Sequence, residues 1–402
     1  MVSVAILGFG VVGSGVAEVL STNAEKIAHS AGQEIGVKYI LDIRDFPDSP
    51  FKDLIVKDFS IIENDPEVQI VVETIGGVGP AYEFTRRALL AGKSVITSNK
   101  ELVATHGYEL LQLARERNLN YLFEASVGGG TPIIRPISQC LAANEIDELY
   151  GILNGTTNYI LTQMIQNGMS FEEALKQAQE NGFAEANPAA DLDGVDACRK
   201  ICILASLAFG RHVYPDSVPT EGITKVTPSD VGFAASGGYK IKLLGRAVKR
   251  PDGKAACYVG PHLIDENNLL SNVEGVFNGI VVHGNAIGSV MFYGAGAGKL
   301  PTASAVVADI IDASKHFKAR KQIDWLDADP NSLFDPDTLE NRWYVRCRAD
   351  LASAEKLFGN VTALSNKAAE GENAFITEKM SKAALEARLK DLAPLSVFRV
   401  LD

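Results

Sequence analysis

The sequence predicts an α/β fold: a doubly wound parallel sheet first, then an α+β domain, then a small C-terminal α+β segment. Three observations predict it. An apolar strand runs straight into a glycine turn and a helix at the N-terminus, and strand and helix patterns then alternate to about Phe123. After a glycine-rich stretch the period becomes mixed and the connections long. A chain of 402 residues is long enough for two or three domains with a substantial core.

The first strand covers residues 2–7, and Gly8, Phe9, Gly10, Val11, Val12 and Gly13 follow it directly, ahead of a helical stretch from Val16. Gly8 allows the turn, Gly10 lets the backbone approach a pyrophosphate, and Gly13 lets the helix pack against the strand. This spacing in a strand–turn–helix context points to a Rossmann dinucleotide site. The second strand, 36–45, carries both Asp42 and Arg44 near its end. An acid there binds a ribose 2′-hydroxyl and an arginine accommodates a 2′-phosphate, so composition leaves NAD and NADP both open. Segments 68–77 and 93–101 read as two more strands ending in polar turns, which puts Thr74, Ser98 and Lys100 near the nicotinamide.

Residues 124–134 read as a glycine-rich hinge. Strand-like segments follow at 148–154, 239–248, 255–259 and 279–283, with helices at 158–166 and 171–181. Residues 294–298 read as a loop and 301–311 as a buried helix returning to the first domain. The Asp- and Pro-rich stretch 322–338 reads as a linker to a separable unit. In that unit, strand (342–348), helix (351–358), strand, helix (381–392) and strand (396–401) alternate.

The most informative stretch is 182–200. It gathers Glu185, Asp191 and Asp193 in a loop and then starts a helix bearing Asp196 and Lys200. Four residues apart, Asp196 and Lys200 share a helix face. The apolar run 201–209 predicts that this helix is buried. A lysine at the mouth of such a helix, amid carboxylates, can be held charged and aimed at a small polar substrate. Acidic capping with an i,i+4 ion pair would be the plainer account of the same residues.

The net charge of −12, with no basic cluster, argues against nucleic acid and anionic membranes as partners. No apolar run is long enough to span a bilayer and no leader pattern precedes the first strand, so a cytoplasmic setting is predicted. Cys140, Cys198, Cys202, Cys257 and Cys347 are scattered, lack His or Cys partners at metal spacing and read as reduced.

Seven separated motifs, GFGVVG (8–13), ETIGG (73–77), TSNKELVATHG (97–107), EASVGGGTPII (124–134), LNGTTNYIL (153–161), GFAEANPAADLDGVDACRK (182–200) and GAGAGKLPTA (294–303), closely resemble the homoserine dehydrogenase family over residues 1 to about 320. The resemblance implies interconversion of aspartate 4-semialdehyde and homoserine, in threonine, methionine and isoleucine biosynthesis. By it, Lys200 corresponds to the proton donor and acceptor at the alcohol oxygen, and Lys100 lies between nicotinamide and substrate. Asp196, Glu185 and Asp191 match acids that hold the substrate ammonium and position the catalytic groups, with Gly155 and Thr156 also against the substrate. Arg44 matches a 2′-phosphate arginine, favouring NADP with NAD as the alternative, and Gly298 joins the cofactor residues. Glu124, Val127, Gly129 and Thr131 match a monovalent cation site, usually sodium, built from one carboxylate and carbonyl oxygens.

The domains so implied are 1–128 for the Rossmann part (with 299–320 returning to it), 129–298 for substrate binding and dimerisation, a 321–340 linker and an ACT-like segment at 341–402. No aspartate kinase portion precedes the first strand, which implies a monofunctional enzyme, and a homodimer or homotetramer is expected. The first C-terminal helix departs from the ACT pattern, with Asp350-Leu-Ala-Ser where Gly-Val-Leu is usual.

Overall fold

The computed structural model describes all residues except Lys318 and Asp402, so those two positions of the 299–320 and 341–402 segments lie outside the described residues. Among the described residues the chain builds two sheets. The first is parallel, β1 (Val2–Leu7), β2 (Ile35–Leu41), β3 (Ile55–Val56), β4 (Val68–Glu73), β5 (Ser94–Thr97) and β6 (Tyr121–Leu122), in the order β3-β2-β1-β4-β5-β6. β1 is buried along its whole length, as a strand covered on both faces by helices must be. The order reverses between β1 and β4, which opens a crevice at their carboxyl ends beside the glycine turn.

Three details of this sheet differ from the sequence pattern. β2 stops at Leu41, so Asp42 and Arg44 sit in the turn beyond it. β5 is only Ser94–Thr97. Asn99 then caps a helix, Lys100–Glu116, by accepting the Leu102 N–H at 3.1 Å. Lys100 is therefore the first residue of a helix rather than part of a polar turn.

The second sheet is mixed. It holds β7 (Ile146–Ile152), β8 (Tyr239–Lys249), β9 (Ala255–Asp265), β10 (Phe277–Gly284), β11 (Gly288–Ala295), β12 (Trp343–Cys347), β13 (Val361–Leu364), β14 (Asn373–Thr377) and β15 (Ser396–Leu401). Their order is β11-β10-β7-β8-β9-β15-β12-β14-β13. β11 pairs antiparallel with β10 from Phe277↔Ala295 to Gly284↔Gly288, so the first two residues of the stretch read as a loop at 294–298 are strand. The helix Val195–Phe209, buried along most of its length, packs on β7, β8 and β9 of this sheet and on the helix Lys100–Glu116 of the other.

The helix Lys299–Lys315 lies against the helix Val11–Thr22 and against β4 and β5 of the parallel sheet. A Cβ on Gly15 would come within 2.8 Å of the Lys299 carbonyl oxygen, so the two helices meet at backbone distance there.

The stretch 321–340 is packed rather than a free tether. Trp325 is 3% exposed and its indole N–H donates to His212 Nδ1 at 2.8 Å, while Leu326 bridges Arg211. Beyond it, β15 pairs in parallel with β9 (Arg399↔His262 to Leu401↔Ile264), so the last strands continue the central sheet. The separable unit suggested by composition is thus joined through backbone hydrogen bonds, which composition does not encode. No helix among the described residues is long and apolar enough to cross a membrane.

Candidate active site

A cavity of about 620 Å³ opens between the two sheets and brings together residues that are far apart in the chain. Its lining includes Lys100, Asn154, Gly155, Thr156, Glu185, Asp191, Asp196 and Lys200, with Val11 and Gly298 at the side of the glycine turn. Asp196, 3% exposed, lies between two lysines: its Oδ2 is 3.0 Å from Lys200 Nζ and its Oδ1 2.5 Å from Lys100 Nζ. The Lys100 contact is a close charge pair. Burial alone would raise the Asp196 carboxyl, but Lys200 and Lys100 outweigh it and hold the group well below the usual carboxylate range.

Lys200 is 7% exposed and donates to the Leu153 carbonyl oxygen at 2.8 Å. Burial lowers its ammonium below the ordinary lysine value, and Asp196 opposes that shift. Asp191 sits in a short helix, Ala189–Leu192, and burial pushes its carboxyl up.

Asn154 ties the acids together and was not singled out in the sequence. Its Nδ2 donates to Asp191 Oδ1 at 2.7 Å and to Asp196 Oδ2 at 2.9 Å, while its Oδ1 caps the helix Gly155–Asn167 through the Thr157 N–H at 2.8 Å. An Asn ahead of Gly-Thr-Thr is a helix-start signature, and that was the available signal. Gly155 has no room for a side chain, since a Cβ would meet the Val276 carbonyl oxygen at 2.7 Å. The Thr156 hydroxyl donates to the Phe183 carbonyl oxygen at 2.6 Å, and Glu185 is exposed on the rim.

A second cavity, of about 380 Å³, is lined by Gly8, Gly10, Asp42, Ile43, Arg44 and Thr74. Gly8 has φ +90°, Gly13 would place a Cβ 1.9 Å from the Gly8 carbonyl oxygen, and Gly10 faces open space. A turn of this shape fits a dinucleotide pyrophosphate. Thr74 braces it by donating to the Gly8 carbonyl oxygen at 2.9 Å. Phe9, Val12, Gly13 and Ser98 line neither cavity; Phe9 is buried against Phe46 and Phe51. Glu73, fully buried at the end of β4, accepts the Thr97 hydroxyl at 2.6 Å and the Ile75 N–H at 2.7 Å, and so shapes the turn carrying Thr74.

Comparison with known proteins points to one family. Residues 132–311 match the family model described as homoserine dehydrogenase, and residues 8–124 match that of the homoserine dehydrogenase NAD binding domain. A homoserine dehydrogenase of Pseudomonas aeruginosa is 39% identical, with 97% of this chain and 94% of that protein covered. One from Helicobacter pylori is 45% identical over 78% of this chain and 74% of its own length. The crystal structure of a homoserine dehydrogenase from Thiobacillus denitrificans superposes with a TM-score of 0.90 at 35% identity, covering 100% of this chain and 98% of that one.

The chain belongs to the homoserine dehydrogenase family. Its function is therefore that of an oxidoreductase which interconverts L-homoserine and L-aspartate 4-semialdehyde with a nicotinamide cofactor.

The loop that carries Glu124, Val127, Gly129 and Thr131 is tied internally and to the strand end beside it. The Glu124 carboxylate accepts the N–H groups of Ile133 (2.6 Å), Ile134 (2.9 Å) and Arg135 (2.7 Å), which takes three of its roughly four lone-pair sites. A carboxylate so engaged has about one lone-pair site left for any further partner. Among the described residues no group of three His, Cys, Asp or Glu could hold a metal ion. Val127 is buried, and Gly129 (φ +58°) packs where a Cβ would lie 2.3 Å from the Gly296 carbonyl oxygen. The Thr131 hydroxyl reaches the Ala295 carbonyl oxygen at 3.4 Å, so this loop buttresses the 296–298 wall of the larger cavity.

Proposed function

We propose that Lys200 gives the proton to, and takes it from, the alcohol oxygen of homoserine, with Asp196 and Lys100 holding the charge pattern around it. The observation that carries the reading is the Lys100–Asp196–Lys200 array, with Asp196 and Lys200 buried and all three lining one cavity. The nicotinamide supplies or accepts the hydride. Lys200 stabilises the developing alkoxide and protonates it in the reductive direction; in the oxidative direction its neutral amine accepts the proton. Asp191 and Glu185, on the acidic side of the cavity, hold the substrate ammonium, while Gly155 and Thr156 border the amino-acid backbone of the substrate.

We read Arg44 as the 2′-phosphate residue, hence NADP. The Asp42 carboxylate already accepts the N–H of Phe9 at 2.7 Å, the N–H of Arg44 at 2.9 Å and two guanidinium N–H groups at 2.9 and 3.0 Å. Arg44 holds that carboxyl down at about 2. Little capacity remains on Asp42 for a ribose hydroxyl, whereas the Arg44 side chain is 59% exposed at the mouth of the cavity. Arg44→Ala should raise KM for NADP about tenfold or more and leave KM for NAD nearly unchanged, since a hydrogen bond to a charged group contributes about 1.5–3 kcal/mol. Equal changes for both cofactors would return the ribose to Asp42.

The remaining assignments complete the reading: Ser98 and the Phe9–Gly13 turn beside the cofactor, and a sodium ion held by carbonyl oxygens of Glu124, Val127, Gly129 and Thr131. Residues 1–128 with 299–320 form the cofactor domain and 129–298 the substrate and dimer domain of a cytoplasmic homodimer or homotetramer. The β-α-β-β-α-β order of residues 343–401, with its sheet order β15-β12-β14-β13, supports an ACT-like reading of the C-terminal segment. The pathway served is threonine, methionine and isoleucine biosynthesis. Steady-state assays with homoserine and each nicotinamide test the function directly, and absence of turnover with both cofactors would refute it.

A further inference from the structure

The two lysines of the cavity stand on different supports. Lys100 is the first residue of the Lys100–Glu116 helix, which belongs to the parallel-sheet layer, whereas Asp196 and Lys200 ride on the Val195–Phe209 helix of the mixed sheet. Their relative placement therefore depends on how the two helices are docked. The direct Lys100–Asp196 contact is by itself a loose registration device, because the Lys100 side chain is 40% exposed on a flexible stem.

A second bridge crosses the same junction. Arg199 Nη2 lies 2.8 Å from Glu101 Oε1 as a hydrogen-bonded ion pair, with the two side chains 24% and 32% exposed. Each member is the chain neighbour of a cavity lysine, Glu101 of Lys100 and Arg199 of Lys200. Successive residues on a helix point about 100° apart. Lys200 thus turns to the cavity while Arg199 turns to the partner helix, and neither Arg199 nor Glu101 lines the cavity. The planar guanidinium adds direction that an ammonium would lack.

We infer that the Arg199–Glu101 ion pair is a positioning pair for the reaction: it sets Lys100 against Asp196 and Lys200 across the junction of the two sheets. The inference rests on the reading of Lys100, Asp196 and Lys200 as the reacting array. Its expected signature lies in turnover, because a displacement of about 1 Å at a reacting centre can cost roughly 10²-fold in rate. A partly exposed ion pair has only a small effect on folding.

The test is a double-mutant cycle in the full-length protein with homoserine and NADP, using Arg199→Met, Glu101→Gln, the double variant and Arg199→Lys, with Lys200→Ala alongside. Each single neutral variant should lower kcat by roughly ten- to hundredfold, with the cofactor Kd and the thermal midpoint unchanged. The double variant should lose no more than either single, and Arg199→Lys should recover part of the loss. Wild-type kcat in the singles, or losses that multiply in the double, would overturn the pair while an inactive Lys200→Ala left the parent reading intact. A fall in kcat that tracks a fall in thermal midpoint would also overturn it, as a structural tie. Wild-type turnover in Lys200→Ala would instead refute the parent reading, and this inference with it.

Discussion

Asp196 and Asp230 are both buried carboxylates facing cations, yet they do different work. Asp230, 0% exposed, accepts from Arg346 Nε (2.6 Å), Arg346 Nη2 (3.3 Å), the Tyr344 hydroxyl (3.0 Å), the Ser396 hydroxyl (3.1 Å) and both the N–H and hydroxyl of Thr227 (2.9 and 2.7 Å). Arg346 also pairs with Glu372 at 2.7 Å. Its donors arrive from β12, β15 and the cap of the Pro228–Ser236 helix, and they seal the C-terminal strands to the rest of the chain. Asp196 has fewer partners, and the two lysines it holds face a cavity. A saturated network fixes structure, whereas one left open to a cavity can be reached by a ligand.

The largest expected effect breaks the open network. Lys200→Ala should lower kcat by roughly 10²–10⁴-fold, since general acid–base groups contribute on that scale. Cofactor binding by fluorescence titration should remain close to wild type. The intact enzyme supplies a companion signature in pH. Because burial lowers the Lys200 ammonium, homoserine oxidation should rise as pH increases through that lowered value and Lys200 becomes the base. Semialdehyde reduction should fall over the same window, because it needs the ammonium as acid. Profiles that move in the same direction would remove Lys200 from the proton step.

The sealed network should respond in stability instead. Arg346→Met leaves the Asp230 charge buried without its cation, at a cost of about 3–5 kcal/mol, readable as a lower urea midpoint. Turnover per folded molecule should stay near wild type. A large loss of kcat with an unchanged midpoint would reverse the distinction between the two aspartates.

The smallest effect sharpens the comparison at the rim. Glu185→Gln should raise the homoserine KM about two- to fivefold with little change in kcat, as expected for an exposed charge contact of about 0.2–1 kcal/mol. An unchanged KM with reduced thermal stability would make Glu185 a structural acid.

What could be read from the sequence was local. The glycine turn and the Asp196–Lys200 spacing carry their geometry in neighbouring residues: the turn leads into a helix as expected, and Asp196 and Lys200 lie one turn apart on a buried helix. Asn154 escaped notice because its meaning lies in Asp191 and Asp196, some forty positions away. The coupling of Asp42 to Arg44 was also hidden, since the pattern offered the two as alternatives and the structure joins them in a bidentate pair. Strand Gly288–Ala295 was missed because its glycine-rich end reads as loop until a partner strand is supplied. The stretch 321–340 looked like a tether on composition, which does not report that Trp325 finds His212.

The return of the Lys299–Lys315 helix to the parallel sheet has a consequence in time. Ribosomal synthesis proceeds from the N-terminus, and domains ordinarily fold as they emerge. Here β1 and the helix Val11–Thr22 are made early, but the helix that packs on Val11–Thr22 and on β4 and β5 is encoded about 280 residues later, with the substrate-side strands β7 to β11 in between. The nascent first sheet must wait with an apolar flank uncovered, and the long loop closure that ends the wait is the kind of non-local contact that slows folding. A growing chain therefore completes the packing of its first layer only as the 296–298 wall of its substrate-side cavity is being made, although every residue that lines the glycine-turn cavity lies within the first 84.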